Sequence, residues 1–398
     1  MEDKGYLFIK VHITVMMMYN RFKVSMLLLL SFCCSKVVNA QETIPVFPLN
    51  TDSYACYRIP ALIALRNGEM LAFAEGRKAN CGDFGNVDII MKRSSDAGRT
   101  WSKPAVLIDN DTLQAGNITP VVDRFDPRFP AGRIFVFYNT GNAFEWEIRA
   151  GKGLRQVWYI TSVDNGKSWS SPNEITNQVH FPKQLAVNQE DGIIKEWRGY
   201  ATGPCHALQI TNGKFKGRMV VPANHTEGQP ASDWSDGFAH TFFTDDHGAT
   251  FHCSENVSIP GANEATVAML SSGDVMLNAR NQKGDPRCRV VAVSSDGSKT
   301  WDTAFYDKRL IDPVCQGSLL NTELLRKHLL IFSNPASQTN REKLTIRVSI
   351  DDGKSWSVSH LAVEGEAAYS DITMINRKTI GIIYEKGSDG GIYFRKLS

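Results

Sequence analysis

The sequence predicts an all-β chain built by radial repetition, a six-bladed β-propeller in a single domain. Three observations predict it. A strand–turn–strand element recurs six times, a hairpin-turn signature recurs five times, and no stretch carries a helical apolar period.

The first element is a turn residue, a short apolar strand and a polar exit. It reads Asn67 to Arg77 (NGEMLAFAEGR), Gly132 to Asn139 (GRIFVFYN) and Gly217 to His225 (GRMVVPANH). It returns at Gly273 to Arg280 (GDVMLNAR), Lys327 to Pro335 (KHLLIFSNP) and Lys378 to Gly387 (KTIGIIYEKG). Each copy follows another apolar strand: Arg58 to Leu65, Ile118 to Asp123, His206 to Thr211, Glu264 to Leu270, Ser318 to Leu324 and Asp371 to Ile375. Their β-branched and aromatic content between Gly, Asn and Pro is strand chemistry. The short segment Thr43 to Phe47 is expected to complete the last blade and close the ring.

The second element reads Ser/Thr-x-Asp-x-Gly-x-Ser/Thr-Trp/Phe. It occurs at Ser94 to Trp101, Ser162 to Trp169, Thr244 to Phe251, Ser294 to Trp301 and Ser349 to Trp356, with Ser298 in the glycine position of the fourth. Aspartate accepts bonds from turn amides, glycine takes positive φ, and the aromatic packs beneath the turn. Turn chemistry therefore explains each position, and a structural role is expected in place of calcium binding or catalysis.

Composition narrows the class. The formal net charge is +2 over 398 residues, without a basic or acidic block, which argues against nucleic acid as a partner. Arg21 and Lys23 precede the apolar stretch Met26 to Cys34, and Val38-Asn39-Ala40 supplies small residues before Gln41. This is a secretory pattern, so residues 1–40 are expected to be a signal peptide and 41–398 the propeller. A signal anchor is the alternative, and lysosomal or vesicular delivery stays open beside secretion. No later run of 18 apolar residues suggests a membrane span in the mature chain. Beyond the signal six cysteines remain, Cys56, Cys81, Cys205, Cys253, Cys288 and Cys315, an even count that permits disulfides. None has a CxxC spacing, so no zinc is expected. Sequons at Asn110, Asn117, Asn224 and Asn256 fit secretion.

The turn signatures resemble the Asp boxes of sialidases, and Tyr57-Arg58-Ile59-Pro60 resembles that family's Phe/Tyr-Arg-Ile-Pro motif. The resemblance covers residues 45 to 398 and implies an exo-α-sialidase of the bacterial and animal type. Its substrates would be sialylated glycoproteins, gangliosides and oligosaccharides, and no cofactor is required. A sialoside carries a carboxylate on its anomeric carbon, ionised at neutral pH. Arginine, always charged and bidentate, is its best partner. By position and context Arg58, Arg280 and Arg341 match the family's arginine triad. A carboxylate nucleophile would be repelled by that substrate charge; a neutral tyrosine avoids the repulsion but needs a base beside it.

The resemblance makes Tyr369, in Ala367-Ala368-Tyr369-Ser370-Asp371, the nucleophile. Glu264, in Asn263-Glu264-Ala265, is its base, and Asp83, in Cys81-Gly82-Asp83-Phe84-Gly85, the acid/base. In the repeat alignment Arg58, Glu264 and Tyr369 sit at one end of innermost strands and converge on one mouth of the central channel. Asp88 and Asp96 rival Asp83, but one leads into a strand and the other belongs to a turn box. Arg77 is expected to hold substrate or the Asp83 loop, and Glu385 to orient Arg58. Asp126 is a candidate for the glycerol or N-acyl side, and Trp146, Trp158 and Trp234 for an aglycone platform. Cys56 and Cys81 lie two residues before Arg58 and Asp83, and a Cys56–Cys81 disulfide is expected to anchor the loop. Gly203-Pro204-Cys205-His206 departs from the family's smaller residues and is expected at the third mouth, altering substrate scope. Two alternatives remain: transfer of the sugar instead of hydrolysis, and a sialic-acid-binding lectin.

Overall fold

Local turn chemistry fixes a hairpin turn in five of the six repeats. In the first box Gly98 N–H donates to Ser94 Oγ at 2.8 Å, while Asp96 accepts from Thr100 N at 2.9 Å and Thr100 Oγ1 at 2.7 Å. The pattern recurs around Asp164, Asp246, Asp296 and Asp351. Hydrogen bonds from Thr100 and Ser355 hold the Asp96 and Asp351 carboxyls down at about 2. The box aspartates are thus engaged by their own turns. Ser298 sits at φ 76°, the left-handed conformation that glycine takes in the other boxes.

The structure is a computed structural model that describes residues 43–182, 196–387 and 390–397. The expected signal peptide and its cleavage point lie outside these residues. Among the described residues strands dominate, helix is limited to Glu145–Arg149 and Thr176–Val179, and no helix is long and apolar enough to cross a membrane.

The strands form an all-β, propeller-like array. Four sheets stand alone as blades. One joins Trp197–Thr202, Leu208–Gln209, Met219–Glu227, Gly237–Thr244 and His252–Cys253. The next two are meanders, Ala262–Met269 through Thr303–Ile311 and Ser318–Leu324 through Val358–Glu366. The last takes Ser370–Asn376, Thr379–Glu385 and Ile392–Leu397 and finishes with the first strand among the described residues, Ile44–Phe47. The expected six separate sheets are not found. The first two repeats share one eight-stranded sheet, because Val87 pairs in parallel with Gln114 where Val87–Ser94 meets Gln114–Asp123.

The innermost strands close on one another. Cys56–Ala64 packs on Gln114–Asp123 and on Ser370–Asn376, and Ser318–Leu324 packs between Ala262–Met269 and Ser370–Asn376. Between neighbouring sheets lie apolar wedges such as Phe135, Phe137, Tyr159, Phe242 and Phe251. The third repeat differs from its expected form. Its inner strand is not continuous over 206–211. Trp197–Thr202 pairs with the far half of Met219–Glu227, and only Leu208–Gln209 pairs with the near half. Pro204, which has no N–H to donate, falls in the gap.

The ring is closed by pairing Ile44 with Phe394 and Phe47 with Ile392. Phe47 is fully buried and its ring lies 5.4 Å from that of Tyr57 in the first repeat. Truncating it leaves a cavity at the seam. Phe47→Ala is expected to lower stability by about 3–5 kcal/mol in denaturant titration; a loss under about 1 kcal/mol would show that this strand contributes little to closure.

Candidate active site

Strand geometry first delivers the carboxylates and arginines. Alternate residues of a strand share a face, so Glu75 and Arg77, the exit of Met70–Arg77, point the same way. Arg77 Nη2 and Nε donate to Glu75 Oε2 at 2.7 and 3.2 Å, and Glu75 Oε1 accepts from Asn117 N at 2.9 Å. Arg77 Nη1 turns to the following loop, donating to Cys81 O at 2.6 Å and to Asp83 Oδ1 at 2.8 Å. Cys81 is tied to Cys56 by a disulfide, as expected. Desolvation would raise the Asp83 carboxyl, but the Arg77 charge and hydrogen bond outweigh it and hold it below the ordinary range. The Asp83 side chain is 85% exposed, free on its outer side for a ligand.

Across the channel Tyr369 donates from its hydroxyl to Glu264, 2.6 Å from Oε1 and 2.8 Å from Oε2. Arg280 Nη1 donates to Glu264 Oε2 at 2.8 Å and to the Tyr369 hydroxyl at 2.9 Å. The Arg58 and Arg341 guanidiniums lie 5.4 and 5.5 Å from the centre of the Tyr369 ring. Burial and the Glu264 charge push the phenol well above its usual pKa, while Arg280 and Arg341 pull the other way. Tyr369 is therefore protonated at rest, with an acceptor in contact and cations ready to stabilise its anion.

Beneath this cluster Glu385, 1% exposed, accepts from Arg58 Nε at 2.7 Å and Ile59 N at 2.8 Å through Oε1, and from Tyr369 N at 3.2 Å through Oε2. One carboxylate thus fixes an arginine of the first repeat and the tyrosine of the last. Arg341 is the exception among these arginines: it donates to the Val314 carbonyl at 3.1 Å and makes no ion pair among the described residues. A cation at the mouth of a cavity without a carboxylate is an open place for an anion.

These groups line one cavity of about 390 Å³, apart from Glu385 below its floor. Several wall residues were not singled out by sequence: Glu75, Gln114, Glu145 and Arg155. Arg155 donates to Gln114 Oε1 and, at 3.0 Å, to Glu145 Oε2. The strand alternation of Glu75 with Arg77 was the one signal available for the first of them.

The remaining candidates divide between this cavity and the structure around it. Asp126 does not line the cavity; it is bound by Arg128 at 2.7 Å. Trp234 lines the cavity, whereas Trp158 donates to Thr140 Oγ1 in its own sheet and Trp146 is exposed away from the wall. Asp88 is buried, accepting from Tyr54 OH at 2.6 Å. Gly203 to His206 do not line this cavity: Cys205 is buried at the axis and His206 lines a second cavity of about 190 Å³. The sequon residues Asn117 and Asn224 lie in the cavity wall.

Removing the Glu385 carboxylate would strand Arg58 in a buried site. Glu385→Ala is expected to cost about 3–5 kcal/mol of stability in denaturant titration; a change under about 1 kcal/mol would mean that Arg58 finds another counter-charge.

Residues 68–382 match the family model described as BNR repeat-like domain. A sialidase of Micromonospora viridifaciens is 30% identical over 85% of this chain and 51% of its own length. One from Bacteroides fragilis is 30% identical over 84% of this chain and 60% of its own. This chain thus spans about half the length of those curated relatives. The solved Hadza microbial sialidase Hz136 superposes with a TM-score of 0.75 at 27% identity, covering 89% of this chain and 68% of that one. The chain belongs to the BNR repeat-like domain family.

Proposed function

We propose that the chain is an exo-α-sialidase that hydrolyses terminal sialic acids from glycoproteins, glycolipids and oligosaccharides with retention. The observation that carries this reading is the contact of the Tyr369 hydroxyl with Glu264 at 2.6 Å beneath three arginines, one of which lacks an anionic partner among the described residues. The substrate carboxylate takes the arginine face of Arg58, Arg280 and Arg341. Glu264 accepts the Tyr369 proton as the phenolic oxygen bonds to the anomeric carbon. Asp83, displaced from Arg77 and protonated, gives its proton to the departing glycosidic oxygen. Water, deprotonated by Asp83, then attacks the same carbon, and the phenolate recovers its proton from Glu264. Two inversions give net retention. Arg77 and Glu75 hold the Asp83 loop in this scheme, and Glu385 holds Arg58.

Three further readings belong with it. The eight-stranded sheet contains two complete repeats joined by one bridge, which supports a six-bladed count. The compact unit beginning at Thr43 supports one domain over 41–398. The Cys56–Cys81 disulfide supports an oxidising, secretory destination.

The test is release of an aglycone from α-sialosides by the purified protein, with products resolved by mass. The parent is expected to release free sialic acid, and Tyr369→Phe to lose about 10³-fold or more in kcat, with the Glu264–Arg280 pair left in place. An anhydro or transferred sugar would replace hydrolysis by transfer. A folded parent that binds sialosides without cleaving them across pH 4 to 8 would leave the lectin reading.

A further inference from the structure

We propose that Phe144 is a positioning residue for Asp83: it clasps Phe84 and so sets the distance at which Asp83 meets the glycosidic oxygen. The proposal rests on the reading of Asp83 as the proton donor.

The loop from Lys78 to Asn86 links two strands of the first repeat, and Lys78 N donates to Asn86 O at 3.1 Å to close its base. Its internal holds lie on the side leading up to Asp83. Gly82 N donates to Asn80 Oδ1, Cys81 is bridged to Cys56, and Arg77 grips Cys81 O and Asp83 itself. Beyond Asp83 the chain passes through Gly85 at φ 139°, a conformation that supplies no stiffness of its own. An ion pair on a side chain that is 85% exposed is a weak restraint, and binding must break it for Asp83 to work.

Among the described residues the one ring contact on the far side belongs to Phe84, the next residue. Its ring lies 4.9 Å from that of Phe144, inclined at 57°. Phe144 is 49% exposed and belongs to no core cluster, so interior packing does not account for it. Its backbone is fixed instead. Phe144 N donates to Glu147 Oε2 at 3.1 Å, and Phe144 O accepts from Glu147 N and Ile148 N at the start of the helix Glu145–Arg149. Ile148 is fully buried, and Glu145 is held by Arg155 in the cavity wall. Arg149 continues the brace on the other side, gripping Asp236 at 2.7 Å and covering the Trp234 ring at 3.7 Å. A rigid pedestal in the second repeat thus presents an aromatic face to the residue after the proton donor. Asp83 is held from both sides, by a covalent bond two residues before it and a ring contact one residue after it.

The test separates misplacement of the proton donor from general damage by varying the leaving group. An aryl α-sialoside with an acidic phenol departs with little protonation, whereas an α2,3-linked sialyl-lactose requires it. Asp83→Asn calibrates the dependence. Its kcat/KM is expected to fall about 10²-fold or more on the lactoside and far less on the aryl substrate, the range of a general acid. Phe144→Ala is expected to fall about 10-fold or more on the lactoside and under about 3-fold on the aryl substrate, as a displacement of about 1 Å would produce. Phe144→Leu is expected to recover part of that loss, and thermal unfolding to stay near the parent's because the ring is half exposed. Equal losses on both substrates, or none, would overturn the clasp while Asp83→Asn still shows the dependence. If Asp83→Asn shows no such dependence, the assignment of Asp83 fails and the clasp falls with it.

Discussion

The buried carboxylate of Asp371 is the point on which the ring depends. It accepts from Leu62 N at 2.8 Å, His206 N at 3.1 Å, His206 Nδ1 at 2.6 Å, Ser318 Oγ at 2.7 Å and Ile372 N at 2.9 Å. Those donors come from the first, third, fifth and last repeats. Innermost strands that converge on an axis cannot all pair with one another, and buried N–H groups left unpaired cost free energy. One ion with several lone pairs meets that demand at the centre. Its charge also outweighs the effect of burial on His206 and raises that ring's pKa, so the two groups form a favourable buried pair.

The site follows from that anchor by strand arithmetic. Tyr369 precedes Asp371 by two residues and so faces the axis on the same side, one step nearer the mouth. Glu385 then reaches across the seam to Arg58 and to the Tyr369 amide, so the first and last repeats meet beneath the Tyr369 hydroxyl. The closing strand Ile44–Phe47 lies on the outside of the same seam. Stability and site geometry therefore share residues at this boundary, and substitutions there are expected to affect both.

Much of this was legible in sequence because it is local. A box such as Ser94 to Trp101 makes its own hydrogen bonds, so its residues identify it wherever it occurs. The repeat alignment placed Arg58, Glu264 and Tyr369 at equivalent strand ends, and the structure brings them to one cavity. What could not be read is what depends on packing between repeats. Arg155 meets Gln114 and Glu145 only through the tertiary fold, and Asp371 has the look of an ordinary strand residue. Asp126 offered the right chemistry in the wrong place, because its neighbour Arg128 takes it. The motif Gly203 to His206 was placed one layer too high: with Pro204 interrupting the inner strand, His206 turns to the axis instead of the mouth. The joining of the first two sheets hangs on a single bridge at Val87, which no residue pattern announces.

In the proposed mechanism Tyr369 becomes covalently bonded to the sugar. A 3-fluorosialyl fluoride tests it directly, since fluoride leaves without a proton donor and the ring fluorine slows breakdown of the intermediate. After brief incubation, proteolysis and mass analysis, one adduct is expected on the peptide bearing Tyr369, lost on standing as activity returns. An adduct on Glu264, or turnover of the fluoride to a product of inverted configuration with no adduct, would contradict it.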